Sequence, residues 1–141
     1  MANPISAKPG FARAGEYQVG TLINSALANG TFEIKLGPGI WSVALFINAN
    51  ALTTGTISAG ATNLEGEFLT EEGYAFTQNN SPSVSFSIAD FVGILQLSSI
   101  GGTAVPGDTT IAVLDVVRIT LATIVGGAAD NRIDYLAVRR A

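Results

Sequence analysis

The chain has 141 residues, of which 48% are hydrophobic and 13% charged, with a formal net charge of −4 and neither cysteine nor histidine. That length suits one domain able to bury a core without covalent staples. The missing residue types exclude disulfides, thiolate metal sites, and the Ser-His-Asp, Cys-His and His-zinc arrangements within this chain, while the acidic balance argues against nucleic acid as the main partner.

Residues 1 to 16 hold Pro4, Pro9 and Gly10 but no apolar period, so they are expected to form an extended arm or frayed terminus. They lack the basic cluster and apolar run of a secretory signal. Between 17 and 30 two readings compete. Val19, Leu22, Ile23, Ala26 and Leu27 fall at helical spacing, whereas Gly20, Thr21 and the turn-forming Asn29-Gly30 pair favour strand and hairpin, the preferred reading. A two-residue period starts at Thr31, with Phe32, Ile34 and Leu36 on one face. After the Gly37-Pro38-Gly39 turn, Trp41, Val43, Leu45 and Ile47 share a face opposite Ser42, Ala44 and Phe46. Apolar residues on both faces predict a central strand.

Thr53 to Gly60 is small and β-branched and reads as an edge strand or flat contact surface. Asn63 to Glu72 gathers Glu65, Glu67, Glu71 and Glu72 and reads as an exposed strand. Ser83, Ser85 and Ser87 alternate with Val84, Phe86 and Ile88, a clear strand signal. Further strands are expected at 92–100, 109–113, 116–125 and 132–139, with Asp115 at a bulge or tight bend between two of them. Eight to ten short strands separated by turns predict an all-β, antiparallel β-sandwich of jelly-roll or immunoglobulin-like type. Its division is an arm and first element over 1–30 and a sandwich over 31–141. The expected core is Phe32, Ile34, Trp41, Val43, Leu45, Val84, Phe86, Ile88, Leu95, Leu97, Val117, Ile119 and Leu121.

Little in the chain points to chemistry. Glu65 and Glu67 would project from one strand face and could ligate a hard cation, but a solvated face that resists edge pairing accounts for them equally. The scattered Asp90, Asp108, Asp115, Asp130 and Asp134 fit turns and strand ends, so no enzyme, cofactor or metal is expected. Trp41 suits the core better than a sugar-stacking platform. The longest apolar stretch, Ile40 to Leu52, is interrupted by Ser42, Asn48 and Asn50 and is too short for a membrane-spanning helix of about 20 residues. Positive mean hydropathy without a span leaves an apolar or neutral surface of the kind other subunits cover. Candidate partner contacts are Pro4, Phe11 and Tyr17 along the arm, and Arg139 with Arg140 at the other terminus.

Three features together resemble a known class. They are the opening Gly39-Ile40-Trp41-Ser42-Val43, the arginine-bearing strand Asp115-Val116-Val117-Arg118-Ile119-Thr120-Leu121, and the loop Gly126-Gly127-Ala128-Ala129 leading into Ile133-Asp134-Tyr135-Leu136-Ala137-Val138-Arg139. Over residues 31 to 141 this texture is similar to small β-sandwich virion proteins of tailed bacteriophages, the class of capsid decoration (cement) proteins and head fibres. The resemblance implies a structural protein without cofactor, assembled onto the virion in the host cytoplasm. It would bind the major capsid protein or another virion protein on the outside of the head, and self-associate as a trimer. The chain is short for a fibre, which favours decoration. A carbohydrate-binding β-sandwich module is the alternative from another class.

Overall fold

The computed structural model describes residues 15–62, 64, 66, 68, 84–97 and 110–141. The described residues form nine strands: β1 (Tyr17–Ile23), β2 (Gly30–Lys35), β3 (Gly39–Asn48), β4 (Leu52–Ala61), β5 (Val84–Ser87), β6 (Val92–Gln96), β7 (Ile111–Val113), β8 (Val116–Gly126) and β9 (Arg132–Arg139). All pairings between them are antiparallel. Sheet one runs β1-β9-β3-β6, with β7 also on β3, and sheet two runs β2-β8-β4-β5.

That order has a simple logic. β1 pairs with β9, β2 with β8, β3 with β6 and β4 with β5, so the chain is one long antiparallel ribbon with nested arms. Successive rungs alternate between the sheets, as when a hairpin is rolled around a barrel. This is the jelly-roll order, and it selects that type over the immunoglobulin-like one.

The period-two face of each strand meets in one core. β3 contributes Trp41, Val43, Leu45 and Ile47, and β8 contributes Val117, Ile119 and Leu121, all at most 3% exposed. Of the expected core residues, Ile34, Ile88, Leu95 and Leu97 are also buried. Phe32 and Phe86 are only partly buried and pack against the cluster from its margin. The Phe86 ring lies edge-on to Phe91 with centroids 5.0 Å apart. Both phenylalanines sit on strands that, among the described residues, are the edges of sheet two, where one flank has no described strand beside a large ring. The side chain of Val84 lies outside the described set.

Two local expectations change. β4 is not an edge strand: it lies between β8 and β5. Its small residues serve the interior, where Gly55, Ala59 and Ala61 are buried, and a β-carbon on Gly55 would stand 2.6 Å from the Leu52 side chain. Asn29-Gly30 is not a hairpin turn, because β1 and β2 belong to different sheets; instead the Asn29 Oδ1 accepts the Ile124 N–H at 2.9 Å. Tyr17–Ile23 takes the preferred strand reading and is hydrogen-bonded to β9. Asp115 does mark the bend between β7 and β8, which lie in different sheets; its carbonyl accepts the N–H groups of Leu36 and Gly37, and its carboxylate pairs with Lys35.

At one end of the sandwich a buried amide ties loops together. Asn131 is fully buried; its Oδ1 accepts the Ala128 N–H at 3.1 Å and its Nδ2 donates to the Asn50 carbonyl at 3.0 Å. Asn131→Ala leaves both backbone groups unsatisfied and should lower stability by about 2–3 kcal/mol in chemical denaturation. Asn50→Ala, which keeps the bonded carbonyl, should cost much less.

Candidate interaction face

The sequence singled out Pro4, Phe11, Tyr17, Arg139 and Arg140 as contact residues. Pro4 and Phe11 lie outside the described residues, as do Glu65 and Glu67. Tyr17 opens β1 and is 71% exposed. Arg139 and Arg140 do not act together, since adjacent strand residues project to opposite faces. Arg139 turns inward at the sandwich end and is close enough to block a β-carbon on Gly39, while Arg140 turns outward and its Nε donates to Ser42 Oγ at 3.0 Å.

Registered pairing builds a larger feature around Tyr17. On the outer face of sheet one, Tyr17 aligns with Val138 and Ser42, and Val19 with Leu136, Ala44 and Gln96. The next rows are Thr21, Asp134, Phe46 and Ile94, then Arg132, Asn48 and Val92. An apolar band therefore runs diagonally, from the exposed Tyr17 and Val19 through the half-buried Leu136 and Val138 to Phe46, Ile94 and Val92, while Ser42, Ala44 and Gln96 beside it are buried. Val19 and Val92 are 62% and 65% exposed, values far from those of core residues.

One corner of this face is polar and ordered. Arg132 forks onto Asp134, with Nε to Oδ2 at 3.0 Å and Nη2 to Oδ1 at 2.9 Å, and the Thr21 hydroxyl donates to Asp134 Oδ1 at 2.6 Å. The Arg132 hydrogen bond, then that of Thr21, holds the Asp134 carboxyl below its ordinary value, against a smaller opposing effect of burial. Asp134 in turn raises the Arg132 guanidinium.

Sheet two presents the opposite character. Thr31, Thr120, Ser58 and Ser85 align in one row across its outer face, and Glu33 aligns with Arg118 in the next. Arg118 bonds Glu33 at 3.3 Å, donates to the Gly66 carbonyl at 2.9 Å and stands 5.6 Å from the Phe68 ring centre, holding the chain beyond β4 against the sheet. Between the ends of β1 and β2 lies an open cavity of about 460 Å³, lined by Leu22, Ile23 and Phe32 with Thr21, Asn24, Ser25 and Asn29.

No group of three or more acidic side chains that could hold a metal ion occurs among the described residues. No helix of the described residues is long and apolar enough to cross a membrane. The outer apolar band is the feature of this arrangement that departs most from a solvated surface. Sequence reading missed Val19, Phe46, Val92, Ile94, Leu136 and Val138 as contact candidates, although the apolar residues on both faces of β3 were a signal.

The depressed Asp134 value has a pH consequence. A carboxyl with a folded-state pKa below the unfolded one adds stability above about pH 3.9, and that stability is lost as pH falls through the folded value. Arg132→Ala should raise the Asp134 titration midpoint, read by carbon-13 NMR of its carboxyl. Acid unfolding should then show less dependence on Asp134, with little change near neutral pH because the pair is at the surface.

Comparison with protein-family models, curated proteins and solved structures found no match to this chain. What the residues themselves establish is an all-β jelly-roll sandwich with one apolar and one hydroxyl-rich outer face.

Proposed function

We propose that this chain is a non-enzymatic structural protein of a phage virion, a decoration or cement protein that seats on the outside of the head and stabilises the shell. The observation that carries this reading is the apolar band on sheet one. Tyr17, Val19 and Val92 are well exposed and Phe46 and Ile94 partly so, and an apolar band on a rigid sheet suits docking to a larger assembly. Two things add support: the absence of histidine and cysteine from the sequence, and the jelly-roll order, an architecture that serves viral capsid domains as well as lectins and cupins. The second is fold-level analogy, and the band gives it a site. The partner is the major capsid protein or another virion protein, with self-association on the particle.

A head-bound role predicts a specific loss. Phe46→Lys and Ile94→Lys should fold normally, since both side chains are already partly in water, and should reduce occupancy on phage heads by about tenfold or more. Occupancy equal to the parent chain would overturn docking through this face. Deleting residues 2–14 tests the arm separately: the sandwich should keep its circular dichroism while head binding weakens.

A carbohydrate-binding reading is favoured by one observation, the cavity where the Phe32 ring meets Asn24, Ser25 and Asn29. Glycan binding by the purified chain that Phe32→Ala abolishes would support it over the virion role.

A further inference from the structure

The edges of the two sheets differ in how they resist pairing. On sheet two, β2 carries Glu33 and Lys35, and β5 is only four residues long. On sheet one, the far flank of β3 is shared by the short β6 and β7. β1 is different. Its seven residues, Tyr-Gln-Val-Gly-Thr-Leu-Ile, include no charge and no proline, and among the described residues only β9 pairs with it. Charges, proline and shortness are usual means of blunting an edge and β1 has none of them; its one irregularity is the register shift between Thr21 and Ile23 at its far end.

Hydrogen-bond parity fixes which amides are open. Arg139 N donates to the Glu16 carbonyl at 2.9 Å, whereas Arg140 N donates to the Ile40 carbonyl at 2.7 Å. Odd-numbered residues of β9 thus bond toward β1 and even-numbered ones toward β3. In the register Gln18↔Ala137 and Gly20↔Tyr135, Gln18 and Gly20 spend their backbone groups on β9. Tyr17, Val19 and Thr21 turn theirs to the open edge, and their side chains lie on the outer face.

We propose that β1 is a strand-pairing edge and that its occupant is β1 of a second copy, antiparallel about a two-fold axis. Each copy carries a net charge of −4, so approach is opposed wherever acidic surfaces meet. The uncharged β1 avoids that opposition. Antiparallel pairing also brings Glu16 of one copy toward the end of β1 where the other carries Arg132 beside Asp134. The pairing forms about six inter-chain N–H···O bonds and satisfies the open amides. It places Tyr17 and Val19 of both copies at the seam, where the two apolar bands become continuous. A two-fold contact of this kind is self-complementary and closed. The inference deepens the docking reading by naming a second copy as the partner at β1, and it replaces the three-fold count implied by the resemblance.

The test uses the purified full chain, without any shell. Sedimentation should show a reversible dimer in the micromolar range. Residue-resolved amide exchange should slow by about tenfold or more at Tyr17, Val19 and Thr21 as concentration rises through the dimer transition, with Gln18 and Gly20 protected throughout. Val19→Pro deletes one open N–H and no bond to β9, so it should give a monomer with parental circular dichroism, while Val19→Thr keeps the dimer. A monomer at all concentrations, a trimer, or open-edge amides already protected in the monomer would each overturn the proposal. If Val19→Pro does not fold, the exchange pattern of the parent chain decides alone. Phe46→Lys separates the two readings: loss of head binding with the dimer intact supports face docking independently of β1, and a monomeric Phe46→Lys alongside a dimeric Val19→Pro assigns self-association to the face and overturns the edge.

Discussion

Eight consecutive residue pairs join Trp41–Asn48 of β3 to Arg132–Arg139 of β9, and the rest of the molecule depends on that register. The ladder sends Trp41, Val43, Leu45 and Ile47, with Ile133 and Ala137, into the core. It sends Ser42, Ala44 and Phe46, with Asp134, Leu136 and Val138, outward. A slip of one residue would exchange the two sets. Apart from Ala137, the inner set consists of large side chains with almost no exposure, so the penalty for exposing it is several side chains at roughly 1.5–3 kcal/mol each. The apolar band outside is therefore a consequence of the same register that forms the core.

The two outer faces give the sandwich a direction. Sheet two ends in hydroxyls and the ion pairs Glu33–Arg118 and Lys35–Asp115, groups that water solvates well. Sheet one ends in branched and aromatic side chains, with Asp134 and Arg132 neutralising one another at a corner. Solubility alone does not require such asymmetry. A protein that contacts a surface with one side and solvent with the other does, and the adhesive role proposed for this chain rests on that difference. β1, which among the described residues pairs only with β9, belongs to the same sheet, so face and edge meet along one line of residues, Tyr17 and Val19.

Much of the fold was legible in the chain. Strict alternation at 31–36, 41–47 and 83–88 announced strands, and Gly37-Pro38-Gly39 and Asp115 marked the points where the ribbon passes between sheets. β4 was harder to read. Its small and hydroxyl-bearing residues resemble those of an edge, because sequence shows side-chain size but not how closely the opposing sheet approaches. Phe32 and Phe86 have the composition of core residues, yet their position on edge strands leaves them partly open. The contact face was hardest to find: Val19, Phe46, Ile94 and Leu136 lie on four strands, and no local pattern reveals that pairing sets them side by side.

The sequence by itself determined the class of the protein: all-β, one core, no histidine or cysteine chemistry, and strands bounded by glycine and proline turns. These follow from local properties, namely side-chain periodicity and the backbone preferences of turn residues. Only the tertiary structure decided the jelly-roll order, the interior place of β4, the opposite directions of Arg139 and Arg140, and the union of an apolar face with an open strand edge. Each of these depends on pairing between strands far apart in the chain, and that pairing is settled by the collective burial of one core, which no single segment encodes.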